Sequence, residues 1–243
     1  MKIIKLSAID STNSFLKNLA QNSILENFTV VVARQQRNGR GQQENGWASE
    51  PNKNLTFSLF LRFENIKIDE KKYLNFAVSL AVYNLLLGKK IPKISIKWPN
   101  DILSVNSKIC GILIENTFSG NKIKNTIIGI GLNVNQEIFP QFKRKATSLK
   151  LETKKEYNLD VLLDELLKEI KKSINLLESK KFDLLDNMYL NALYKKNIPT
   201  MFKNSKDKVF MGMISGVSKD GNLQILLEDD TIKEFGIKEI SFL

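Results

Sequence analysis

Apolar residues at Phe15, Leu16, Leu19 and Ala20 recur at helical spacing behind Ser11 and Thr12, either of which can cap a first turn, and predict a helix there. The run FTVVVARQ predicts a strand, and a polar, glycine-containing loop from about Gln36 to Lys53 separates it from a second strand, NLTFSLFLR, in which Leu55, Phe57, Leu59 and Leu61 alternate. Over residues 73–87 the spacing returns to 3 and 4, with Leu74, Ala77, Val78, Ala81, Val82, Leu85 and Leu86 on one stripe and Gly88 as the stop. Three strand candidates follow, KISIKW, KICGILIEN and NTIIGIGLNV, joined by short polar turns. Leu159, Leu162, Leu163, Leu166, Leu167, Ile170, Ile174 and Leu177 mark a long amphipathic helix, and Phe182, Leu185, Met188, Tyr189 and Ala192 a second. After Ile198-Pro199 short strands, separated by Lys219-Asp220-Gly221-Asn222 and Glu228-Asp229-Asp230, read as a small β-barrel-like module. The expected class is α+β: a mixed β-sheet with packed helices over 1–195, then a small β domain over 196–243.

Composition narrows the chemistry more than the fold. At 243 residues, 42% hydrophobic and 26% charged, the chain reads as a soluble globular protein, and no apolar run approaches the roughly 20 residues of a membrane span. The start, MKIIKLSAIDSTNS, lacks the continuous apolar segment of a signal peptide, which places the protein in the cytoplasm. Cys110 is the only cysteine, so no intramolecular disulfide forms, and between apolar neighbours it reads as a small core residue. Histidine is absent. That removes Ser-His-Asp and Cys-His catalysis, histidine bases and nearly all the usual zinc sites, and leaves lysine, arginine, carboxylates, backbone amides or an oxygen-ligated metal. The net charge of +11 points to anionic partners, although pairs such as Lys171-Lys172 and Lys180-Lys181 sit in helical segments and read as solvated faces.

Four stretches carry candidate chemistry. In QQRNGRGQQENGWASEPNKN, Gly39 and Gly41 let the backbone approach a ligand, Arg40 between them offers rigid donors to phosphate or carboxylate, and Trp47 offers an aromatic face. The loop is not a dinucleotide fingerprint, because Glu44 stands at the third glycine position. In KWPND the proline and asparagine are enough to end a strand and open a turn, which leaves Lys97, Trp98 and Asp101 unexplained. Lys108 precedes an apolar run that ends in Glu115, and Gly111 inside that run is tolerated where something approaches its backbone closely. In GIGLNVN, Gly129 and Gly131 lie in a strand that Asn133 ends. Singly each stretch reads as packing or a turn; their order is the specific signal.

In that order, Ser11-Thr12-Asn13, Gln36-x-x-Gly39-Arg40-Gly41 with Trp47, Lys97 to Asp101 followed by Lys108-x-x-Gly111-Ile112-Leu113, and Gly129-x-Gly131-x-Asn133, the blocks resemble those of biotin protein ligases. The stretch around Gly221 and the closing GIKEISF resemble that family's small C-terminal domain. The resemblance implies a class II synthetase-like catalytic domain followed by an SH3-like barrel. It also implies an enzyme that activates biotin with Mg²⁺-ATP and attaches it to a lysine of a carboxylase's biotin carrier domain. It assigns biotin to Ser11, Thr12, Asn13, Gln36, Gly39, Arg40, Lys108 and Gly111, and the nucleotide to Gly41, Gln42, Trp47, Asn100, Gly129, Gly131 and Asn133. Arg40, Lys97 and Lys108 would stabilise charge in adenylation, and Asp101 would take the proton of the acceptor lysine. No residue is assigned to a metal.

One departure is Gln42, followed by Gln43 and Glu44, where the family commonly has a second arginine that helps to retain the adenylate. Some members also carry an N-terminal winged helix-turn-helix; the Ser-Thr-Asn block begins here at residue 11, so the expectation is a ligase without a DNA-binding domain. Homodimerisation is compatible with the resemblance. Two other readings stand beside this one. A lipoate or octanoate transferring enzyme of the same superfamily would be expected to lack the KWPND and Gly-Arg-Gly blocks. A nucleic-acid-binding module would use the +11 charge, but the lysines are dispersed and no aromatic RNA-binding strand or recognition helix is visible.

Overall fold

Period-two alternation along one central strand divides the apolar residues between two layers. The computed structural model describes residues 1–42, 45–140 and 145–243; Gln43 and Glu44 of the glycine-rich loop lie outside the described residues. In chain order the elements are β1 (Ile3–Leu6), α1 (Thr12–Asn22), β2 (Thr29–Ala33), β3 (Leu55–Arg62), α2 (Lys71–Gly88), β4 (Ile94–Lys97), β5 (Asp101–Ser104), β6 (Ser107–Ser119) and β7 (Lys122–Leu132). There follow α3 (Leu149–Thr153), α4 (Leu159–Glu178), α5 (Phe182–Ala192), β8 (Thr200–Asn204), β9 (Val209–Val217), β10 (Leu223–Leu227), β11 (Ile232–Phe235) and β12 (Ile240–Phe242).

The large sheet has seven strands in the order β1-β2-β3-β7-β6-β5-β4, with β1 and β2 parallel and the other pairs antiparallel. On β3, Leu55, Phe57, Leu59 and Leu61 face the main core, which they share with α2, α4 and α5, while Phe60 faces the other way with Val31, Ile127 and Leu16 of α1. Both faces are therefore covered, and β3 is buried except for Arg62.

Helix α2 is buried on most of its circumference, more than a single stripe would require, because sheet, α4 and α5 all pack on it. Phe76 of α2 stacks on Tyr189 of α5 with ring centroids 3.7 Å apart. Gly88, expected as the stop, is the last helical residue. The left-handed residue that reverses the chain is Lys90 (φ 58°), with Lys90 N–H donating to Leu87 O and Ile91 N–H to Leu86 O. Strands β1 and β5 and the short α3 were not predicted: the first two are four residues long, and β5 follows so closely on the Trp98-Pro99-Asn100 turn that KWPND reads as an ending.

The C-terminal strands form a five-stranded antiparallel sheet, β11-β10-β9-β8-β12. Its order is linear, with β11 and β12 as edges among the described residues. Phe202, Ile214, Leu223 and Ile225 continue the main core into it. Tyr194 N–H donates to Ile96 O (2.9 Å) and Trp98 Nε1 to Gly221 O (3.0 Å), so the KWPND turn is braced against this sheet. Among the described residues no helix is long and apolar enough to cross a membrane.

The Tyr189 hydroxyl is fully buried, has no hydrogen-bond partner among the described residues, and is pushed up in pKa by desolvation. Tyr189→Phe keeps the stacked ring and removes a hydroxyl whose desolvation is uncompensated, so it should raise folding stability by about 1 kcal/mol in urea titrations.

Candidate active site

Three glycines, Gly129 and Gly131 of β7 and Gly111 of β6, leave a depression in the large sheet into which other side chains descend. A β-carbon at Gly129 would overlap the Asn13 amide, and one at Gly131 would overlap the Trp47 indole. At Gly111 it would lie 3.0 Å from Trp47 Cζ3 and 3.1 Å from Lys108 Nζ. Over this floor opens a cavity of about 720 Å³. Of the residues singled out in the sequence, Ser11, Thr12, Asn13, Gln36, Arg40, Gly41, Gln42, Trp47, Lys97, Asn100, Asp101, Lys108, Gly111, Gly129, Gly131 and Asn133 all line it. Gly39 does not: Trp47 N–H donates to Gly39 O (2.8 Å), and Gly39 gives room to the loop's own return strand, which also closes through Gly41 N–H to Asn45 O (2.6 Å).

At one end stands the start of α1. Ser11 is its N-cap, accepting from Ser14 N–H (3.4 Å). Thr12 donates its backbone N–H to Gln36 Oε1 (2.8 Å), and its hydroxyl oxygen lies 3.0 Å from the same atom. A backbone N–H can only donate, so this contact fixes the Gln36 amide and turns Nε2 toward Gly39 as an available donor. Asn13 donates through Nδ2 to Glu115 Oε2 (2.9 Å) and accepts at Oδ1 from Ser58 Oγ (2.5 Å). Arg40 reaches back to the same region, with Nη2 3.3 Å from Glu115 Oε1 and Nη1 3.3 Å from Ser14 Oγ.

The opposite wall carries charge. Lys97 and Asp101 are cross-strand partners on β4 and β5, and both are at least nine-tenths buried. Lys108 Nζ lies 2.6 Å from Asp101 Oδ1 and 5.4 Å from the Trp47 ring centroid. Residues three apart on a regular strand face opposite ways. Lys108 nevertheless shares a face with Gly111, because the β5–β6 register shifts between Ile102 and Leu103, where Ile102 pairs with Cys110 but Leu103 with Lys108. Lys97 Nζ sits 4.4 Å from the centroid of Phe242, on the second sheet. The chain thus sets the Asp101 carboxylate against the Lys108 ammonium beside the indole, with Lys97 as its cross-strand neighbour.

The asparagines at this end serve the backbone. Asn100 Nδ2 donates to Ile112 O (2.6 Å), and Asn133 Nδ2 donates to Thr147 O (2.9 Å). Trp47 Nε1 is buried without a hydrogen-bond partner among the described residues. Cys110 is fully buried outside the cavity lining; burial pushes its thiol up against a smaller lowering by the Lys108 ammonium, so it is no nucleophile. No group of three or more acidic or cysteine side chains stands together for a metal among the described residues. The sequence reading missed Ser58 and the Ile237–Phe242 rim, and it noted Glu115 without giving it a part. Ser58 had left one signal, a small polar residue with Thr56 on the second face of an otherwise apolar strand.

Among proteins similar to this chain, a bifunctional ligase/repressor BirA of Bacillus spizizenii is 37% identical over 150 residues, 60% of this chain and 46% of its own length. A biotin–[acetyl-CoA-carboxylase] ligase of Paracoccus denitrificans is 35% identical over 131 residues, 53% of each chain. The matches thus span about half the length of these relatives. In three dimensions the chain is similar to the biotin protein ligase of Aquifex aeolicus in complex with biotin and ATP, at a TM-score of 0.80 and 29% identity over 100% of this chain and 98% of that one. Residues 6–133 match the model of the biotin/lipoate A/B protein ligase family; they are more than half of the chain, and the chain belongs to that family.

Proposed function

We propose that the protein is an ATP-dependent biotin protein ligase, which converts biotin to biotinoyl-5'-AMP with release of pyrophosphate and passes biotin to a lysine of a biotin carboxyl carrier domain. The observation that carries this reading is the single cavity with hydrogen-bonding groups of both kinds at one end and Lys97, Asp101 and Lys108 at the other. A ureido ring needs an acceptor for its N–H groups and donors for its carbonyl; the Thr12 hydroxyl oxygen and Gln36 Nε2 supply them. Residues 1–195 supply these groups, and 196–243 form the rim through Ile237 to Phe242. The reaction belongs in the cytoplasm, where carrier and ATP meet.

In the first half-reaction a carboxylate oxygen of biotin attacks the α-phosphorus of Mg²⁺-ATP, and the bond from that phosphorus to the bridging oxygen breaks as pyrophosphate leaves. Two anions must be held together, so the useful groups are fixed cations; we assign this to Arg40, Lys97 and Lys108. Magnesium would enter on the ATP phosphates and would neutralise part of their charge. In the second half-reaction the neutral acceptor amine attacks the acyl carbon, the bond to AMP breaks, and the amine's proton passes to Asp101. The Trp47 indole, already against Gly131, offers a stacking face to the adenylate.

Incubation with biotin, Mg²⁺-ATP and a carrier domain tests the whole reading. The acceptor should gain the mass of one biotinoyl group, and lipoate should neither replace biotin nor compete with it; the converse would favour the lipoate reading. Lys108→Ala should lower biotin-dependent ATP–pyrophosphate exchange by about 10²–10³-fold while the unfolding midpoint stays near that of the parent. Asp101→Asn should slow transfer from preformed biotinoyl-AMP by about 10²-fold while adenylation changes by less than about tenfold, measured as separate half-reactions.

A further inference from the structure

Glu115 lies on β6 on the side of the cavity away from Lys108, and the proposed chemistry does not use it. Yet its carboxylate gathers donors from two separate parts of the chain. Oε2 accepts from Asn13 Nδ2 on α1 (2.9 Å), and Oε1 faces Arg40 Nη2 from the glycine-rich loop (3.3 Å), with Lys17 Nζ of α1 3.9 Å away. Its side chain is only about one-fifth exposed, while that of Arg40 is nearly half exposed. An arginine so placed has many rotamers open to it, and holding it at the cavity wall requires a fixed partner. Apart from Glu115, the guanidinium's hydrogen-bond partner among the described residues is the neutral Ser14 hydroxyl.

The other carboxylate oxygen governs a chain of hydrogen bonds. A carboxylate accepts only, so Asn13 must turn Nδ2 to Glu115 and Oδ1 to Ser58. Ser58 Oγ has one proton, and with Asn13 Oδ1 as its acceptor that proton is spent. The 2.7 Å contact between Ser58 Oγ and Thr12 Oγ1 is then made with the Thr12 proton. Gln36 Oε1 remains satisfied by the Thr12 backbone N–H (2.8 Å), and the Thr12 oxygen presents its lone pairs to the cavity.

We infer that Glu115 is a positioning residue, holding Arg40 at the cavity wall with one oxygen and, through Asn13 and Ser58, setting Thr12 as a hydrogen-bond acceptor with the other. One carboxylate thereby aligns the ring-recognising end of the pocket with the cation that meets the phosphates. What Arg40 and Thr12 contact rests on the ligase reading; the linkage itself rests on geometry.

A double-mutant cycle tests it. Glu115→Gln should lower kcat/KM for biotin-dependent ATP–pyrophosphate exchange about tenfold, and by about threefold or less when Arg40 is already alanine, where only the arm through Asn13 and Thr12 remains to be lost. Glu115→Asp, which keeps the charge and withdraws it by one methylene, should behave in the same way and decides the matter if the glutamine variant does not fold. Equal losses with and without Arg40 would overturn the proposal. If the wild-type protein shows no exchange at all, the ligase reading fails separately. The linkage is then read from the unfolding constants of the same four proteins, where Arg40 and Glu115 should couple by about threefold or more and additivity would refute it.

Discussion

The missing β-carbons at Gly111, Gly129 and Gly131 are the constraint on which the rest of the site depends. Strands β6 and β7 lie in the middle of a sheet, where a side chain on each face would normally fill the space above it. Without those side chains, Asn13 and Trp47 come down onto bare backbone, and both sit where a β-carbon at Gly129 or Gly131 would be. An amide and an indole from distant parts of the sequence thus share one floor. The cost is a strand with less side chain to pack, which Ile128, Ile130 and Leu132 on the buried face offset.

Electrostatics then separates the two ends of that floor. Lys97 and Asp101 are buried, and a buried charge is tolerated only when paired. Asp101 has Lys108 at 2.6 Å and Lys97 directly across the strand pair. At such a dry wall a charged group acts on a ligand more strongly than it would in water. At the other end Glu115 is flanked by Arg40 and Lys17.

The elements that depend on short-range alternation were legible: the helices at Phe15, Leu74 and Leu159 and the long strands at Leu55, Ile109 and Ile127 all stand where their spacing puts them. The four motif blocks were legible as well, because glycine, tryptophan and lysine at fixed intervals leave few packing explanations when they occur in order. Longer-range features were not. The face on which Lys108 stands is set by the bulge against β5, a strand the sequence did not reveal. Gly39 looked like a ligand-facing glycine because the pairing of its carbonyl with Trp47 arises only when the loop folds back on itself. Glu115 ended an apolar run and looked like a strand terminus, since its donors come from residues about 75 and 100 positions away.

The second sheet has a part in this arrangement that its small size conceals. The Trp98 indole donates to Gly221 O, and the ring of Phe242 lies against Lys97. A hairpin turn carrying a buried lysine and aspartate would be free to splay toward water if its outer side were bare, and water would screen both charges. The aromatic ring covers that side and attracts the ammonium through its π face. A small residue at position 242 would leave Lys97 open to water; an aromatic side chain does not. The C-terminal strand therefore shields from water a lysine that lies more than a hundred positions earlier in the chain.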